Sequence, residues 1–141
     1  MIILIIGSCS QPKGIPLKGA WKWISIKYII GDTVKWEKTE IFPDESGIKM
    51  WSNNHFVCVY RFKTDTLYDY SYSGGTFKLE GNKYEETIIY HDKINIPDMV
   101  GLKEMMLLEI RNDTLIQTYP VDENGEQLKN YTIIEKFIRL D

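Results

Sequence analysis

The chain has 141 residues, which suits one domain with a single hydrophobic core. Seventeen Lys and Arg are mixed with 20 Asp and Glu for a net charge of −3. With no basic run among them, nucleic acid is excluded as an expected partner. No apolar run approaches the roughly 20 residues that a membrane-spanning helix takes.

The chain opens Met1-Ile2-Ile3-Leu4-Ile5-Ile6-Gly7-Ser8-Cys9, and polar sequence follows at once with Ser10, Gln11, Pro12 and Lys13. An apolar run, two small residues and a cysteine resemble the lipobox of bacterial lipoproteins, where a peptidase cuts just before a cysteine that then carries the lipid. That resemblance implies a signal segment over residues 1–8, a lipid on Cys9 and a tether over residues 9–16. It further implies a cell-envelope location, periplasm-facing or on the outer membrane, with the membrane as partner through the anchor. Only six apolar residues precede Gly7, against the about 7–15 of an ordinary signal core, and no Lys or Arg comes before them. The alternative is a buried first strand, which accounts for the isoleucines but not for the small-small-Cys ending. Pro12, Gly14 and Pro16 disfavour helix in the tether.

From there the chain reads as short strand-like runs broken by turn residues. Runs over 18–30 and 33–42 flank Gly31-Asp32, and the second ends at Pro43-Asp44-Glu45-Ser46-Gly47. A short run over 48–52 meets the turn pair Asn53-Asn54, and another follows over 55–62. Residues 63–69 read as a loop, then come Tyr70-Ser71-Tyr72 and a break at Ser73-Gly74-Gly75. Runs over 76–80 and 83–91 flank Gly81-Asn82, a two-residue hairpin turn. Pro97 and Gly101 break the alternation over 92–103, where a helical turn fits. Runs over 104–111 and 114–121 flank Asn112-Asp113, and a last run covers 131–140. About nine strands joined mostly by hairpins predict an all-β fold. Closure into an antiparallel up-and-down barrel removes the unpaired edges. Eight or so strands leave an interior wide enough for side chains or one small ligand.

Lys18-Gly19-Ala20-Trp21-Lys22-Trp23 opens the first strand, and the chain ends Glu135-Lys136-Phe137-Ile138-Arg139-Leu140-Asp141. Gly19-x-Trp21 resembles the lipocalin and calycin signature, which implies a barrel closed at one end by Trp21 with Arg139 packed across it. A planar guanidinium stacks well on an indole face. Residues 17–141 resemble, more closely, small lipocalin-like domains of unknown function found in bacterial lipoproteins. The residues that carry this are Gly19 and Trp21, Gly74-Gly75-Thr76-Phe77, Gly81-Asn82-Lys83-Tyr84-Glu85-Glu86, Tyr90-His91 and the segment Glu135 to Arg139. Thr64-Asp65-Thr66-Leu67-Tyr68 is only a loose echo of the lipocalin mid-chain motif. The resemblance implies a fold and no activity.

Four Trp, nine Tyr and five Phe suit either a β-rich core or the wall of a ligand pocket. On the run 83–91, strict alternation puts Tyr84, Glu86, Ile88 and Tyr90 on one face and Glu85, Thr87, Ile89 and His91 on the other. With the aromatic face inward, Glu86 sits among tyrosines and must be paired or neutralised. Near an open end it is instead solvated or bridged to a lysine. Phe56, Cys58, Tyr60 and Phe62 share a face of the run 55–62, and Cys58 reads as a buried, inert thiol. With His55 and His91 far apart in sequence, no metal site is expected, and no cofactor motif is present.

The leading expectation is a binding module for a small hydrophobic molecule. Trp23, Trp36, Tyr60, Tyr84 and Tyr90 would form its wall, and Glu86 its polar contact. The alternative is a non-catalytic structural or interaction protein whose barrel is filled by its own side chains. An enzyme would require His91, Glu86 and Tyr90 to converge, and no catalytic residue is assigned.

Overall fold

The computed structural model describes residues 15–39, 45–92 and 99–141. They form nine strands, with no helix among the described residues. In chain order these are β1 (Gly19–Ile30), β2 (Thr33–Lys38), β3 (Ser46–Trp51), β4 (His55–Thr64), β5 (Leu67–Glu80), β6 (Lys83–His91), β7 (Lys103–Arg111), β8 (Thr114–Tyr119) and β9 (Tyr131–Arg139). Cys9, the signal segment and most of the tether lie outside the described residues, as do the end of the run 33–42 and the centre of 92–103.

Every strand pairing is antiparallel, and β1 pairs with β9 to close the sheet. The result is an eight-stranded up-and-down barrel of β1 and β3 to β9, with β2 as one extra strand. A strand has only two edges, and β9 takes one edge of β1 for nearly its whole length, from Trp21 to Ile30. The other edge is shared, with β3 on Gly19 to Lys22 and β2 on Ile26 to Ile30. The barrel is therefore tightly closed at the end where β1 begins. At the other end β3 leaves β1 and β2 covers the vacated edge.

Two bulges set which side chains enter the barrel. In β1 the register with β9 slips between Trp23 and Ser25, so Trp21 and Trp23 point inward and then Ile26 does too. In β6 the slip lies opposite Gly74 and Gly75, with Gly74 facing Tyr90 and Gly75 facing Ile88. An extra residue in one strand reverses the alternation beyond it.

The sequence reading splits β5 at Gly74-Gly75, but the strand runs unbroken for 14 residues and faces the β6 bulge there instead. A Cβ on Gly75 would lie 1.9 Å from the Thr87 carbonyl oxygen, so these glycines mark a close backbone approach rather than a chain break. The expected loop over 63–69 shrinks to the turn around Asp65, whose φ of 52° is left-handed. Asn112 and Asp113, with φ of 48° and 63°, form the tight β7–β8 hairpin that the sequence predicts.

The closed end is packed solid. Trp21, Tyr84, Leu108, Leu115 and Phe137 are fully buried, with Trp51, Phe56, Ile88 and Met106 around them. The Trp51 ring meets Tyr84 and Phe137 edge-on, at centroid distances of 6.5 Å each.

Candidate functional site

The closed end carries the predicted latch. Trp21 and Arg139 are register partners on β1 and β9, and the guanidinium carbon stands 4.3 Å from the centre of the Trp21 ring. The indole N–H donates to the Leu17 carbonyl at 2.9 Å, and Arg139 donates to the carbonyls of Pro16 and Lys18. Gly19 lies beside this pair, where a Cβ would stand 2.7 Å from the Asp141 carboxylate. One arginine thus ties the entering chain, the first strand and the last strand together.

Above this plug lies an ionic floor. Lys49 on β3 and Glu86 on β6 form an ion pair across the interior, with Nζ 2.8 Å from Oε2. Both are buried, Lys49 with only 3% of its surface exposed. Tyr84 donates to the same Glu86 oxygen at 3.0 Å, and Trp51 Nε1–H donates to the Tyr84 oxygen at 2.9 Å. The Lys49 ammonium also stands 5.0 to 5.6 Å from the ring centres of Phe56, Trp51 and Tyr84. Burial works against the charge on Lys49, but the Glu86 carboxylate outweighs it and holds the ammonium above the ordinary lysine value. Burial likewise pushes the Tyr84 hydroxyl and the Cys58 thiol up, although Lys49 pulls both down. Cys58 lies against Ser73, 2.9 Å from its hydroxyl, a buried thiol held protonated.

Two more carboxyls face the same space. Glu104 on β7 is directly opposite Glu86, and burial followed by the Glu86 charge raises it. Glu135 on β9 is 8% exposed, and burial pushes it up to about 7 against the opposing pull of Lys49 and a hydrogen bond from Tyr119. Beside Glu135 in register, Gln117 on β8 is fully buried, and neither its amide nitrogen nor its oxygen has a partner among the described residues.

A cavity of about 1080 Å³ rises from this floor towards the end of the barrel that β2 covers. Small-molecule sites commonly span about 300–1,000 Å³, so this is a roomy one. Lys49, Glu86, Glu104 and Glu135 belong to its lining, with Cys58 and Met106. Its wall is aromatic. Trp23 meets Tyr60 edge-on at 5.2 Å, and Tyr60 stacks with Phe62 at 6.2 Å. The Trp23 N–H is buried and has no partner among the described residues. Trp36 of β2, stacked on Tyr28 at 5.9 Å and 49% exposed, stands at the mouth with Tyr70. Lys38 and Glu45 form an ion pair across the rim.

Of the residues singled out in the sequence, Trp23, Trp36, Tyr60 and Glu86 line the cavity. Tyr84 lies beneath it and orients Glu86. Tyr90 is 70% exposed on the outside, because the β6 bulge reverses the alternation after Ile88 and turns Tyr90 out. His91 accepts a hydrogen bond from the Met99 N–H at 3.3 Å, and Tyr90 beside it in sequence is turned to solvent. Lys49 escapes the sequence reading because apolar Ile48 and Met50 flank it, yet these are the residues that face outward. Its readable signal is period two, since Gly47, Lys49 and Trp51 share one face. Gln117, Tyr119 and Glu135 were equally legible by alternation with Leu115 and Phe137. Comparison with protein-family models, with curated proteins and with solved structures finds no match to this chain.

Proposed function

We propose that this protein is a binding module whose lipocalin-like barrel holds one small molecule with a largely apolar body. It carries its guest in the cell envelope, anchored through a lipid on Cys9. The observation that carries the reading is the cavity of about 1080 Å³, walled by Trp23, Tyr60 and Phe62 and floored by polar groups. Further support comes from the Trp23 N–H, a buried donor left without a partner among the described residues, since such groups are ordinarily satisfied. The membership of the lipocalin-like group rests on the latch of Trp21 and Arg139 together with the eight-stranded closure.

Native mass spectrometry of the gently purified protein tests the binding reading. An extra mass that disappears on denaturation, or one-to-one uptake of a neutral probe such as octanol, supports it. A bare mass with no uptake of octanol, fatty acid, haem or quinone favours the filled-barrel alternative. For the anchor, Cys9→Ala is expected to move the protein from the membrane fraction to the soluble one. Unchanged fractionation refutes the lipidated terminus.

A further inference from the structure

The floor of the barrel already contains one complete cation site, occupied by the protein's own lysine. Three rings and a carboxylate surround the Lys49 ammonium. The same ingredients recur elsewhere in the cavity lining without an ion-paired cation. Trp23, Tyr60 and Tyr119 supply rings, and Glu104 and Glu135 supply carboxyls. The two lysines among the described lining residues are both committed, Lys49 to Glu86 and Lys38 to Glu45. Lys49, already paired with Glu86, acts on Glu104 and Glu135 only through space, as Lys129 does on Glu104.

We propose that the guest is an organic cation, an amine or quaternary ammonium on an apolar body, its charge met by Glu104 and Glu135 and by the rings of Trp23, Tyr60 and Tyr119. This rests on the binding reading above and adds the ligand's chemical class. A buried carboxyl is costly without a counter-charge, and a guest ammonium provides it. Rings give a desolvated cation further attraction. An anionic guest would have to displace Glu86 from Lys49 and then sit beside two further carboxyls.

The pH dependence follows. Glu135 is faced by Lys49 from β3, Tyr60 from β4, Glu86 from β6, Glu104 from β7 and Tyr119 from β8. Its carboxyl is half protonated near pH 7. A bound cation favours the ionised form, so affinity rises with pH through that region and binding releases a proton.

The test is calorimetric titration of the full-length protein with octylamine, octanol and octanoate, which share one tail and differ in head group. Octylamine is expected to bind one-to-one at least about tenfold tighter than octanol, with octanoate weakest. The octylamine preference should narrow as the pH falls below 7. Glu135→Gln and Glu104→Gln are each expected to reduce the ratio of amine to alcohol affinity severalfold. Equal affinity for all three probes overturns the cation inference and leaves the binding reading standing. Tightest binding of octanoate also overturns it and makes Lys49 the head-group contact. No uptake of any probe overturns both readings. An affinity ratio unmoved in both variants, each retaining the wild-type circular dichroism, refutes the assignment to these carboxyls.

Discussion

Glu135 should make the barrel less stable as the pH rises, and Glu135→Gln should remove that dependence. The carboxyl is 8% exposed and held up to about 7 from an ordinary 4.5, chiefly by burial. Between those values the folded protein keeps a proton that the unfolded chain has already lost. Stability therefore falls as the pH rises through this window, because the folded state binds more protons. Below the ordinary value both states are protonated and the penalty vanishes. Above about pH 8 both are ionised and the penalty is complete, about 3 kcal/mol at 1.36 kcal/mol per pH unit. Glutamine keeps an oxygen to accept from Tyr119 and does not titrate. Its new amide can also donate towards Gln117, its neighbour in register, whose side-chain oxygen lacks a partner among the described residues. Urea unfolding of wild type and Glu135→Gln at a series of pH values reads the difference. The variant should match wild type near pH 4.5 and exceed it by about 2–3 kcal/mol at pH 8. Comparing two chains at each pH cancels the titration of other groups, apart from those coupled to Glu135. A difference that stays flat across the range refutes the reasoning.

Three further outcomes are expected. Glu86→Gln strands the Lys49 charge and should cost about 3–5 kcal/mol, whereas the double change Lys49→Met with Glu86→Leu should recover most of it in the same urea assay. Gly75→Ala forces a Cβ into the Thr87 carbonyl and should cost more than about 3 kcal/mol. Gly31→Ala, at a turn with φ of 56° and open space, should cost only about 1 kcal/mol, as thermal melts of the pair would show. Arg139→Ala should lower stability by about 1–3 kcal/mol through the lost stacking on Trp21 and the lost carbonyl contacts, and Arg139→Lys should recover little, since an ammonium cannot stack as a plane.

The sequence by itself determined the strand count, the hairpins and the closing latch. Those depend on local turn chemistry and on period-two patterning, which neighbouring residues carry without help from distant ones. Gly81-Asn82 and Asn112-Asp113 turn the chain whatever surrounds them, and Trp21 with Arg139 is legible because first and last strands meet when a barrel closes. The tertiary structure alone decided which face points inward. A single bulged residue opposite Gly74 and Gly75 sends Tyr90 to the solvent, although alternation from Tyr84 puts it inside. In β3 the apolar Ile48 and Met50 lie outside and a lysine inside, because the Glu86 carboxylate across the barrel compensates the buried ammonium. No property of the segment from Ser46 to Trp51 reveals that partner. The candidate site draws side chains from all nine strands, so its wall and Glu86 were partly legible and the pairing of Lys49 with Glu86 was not.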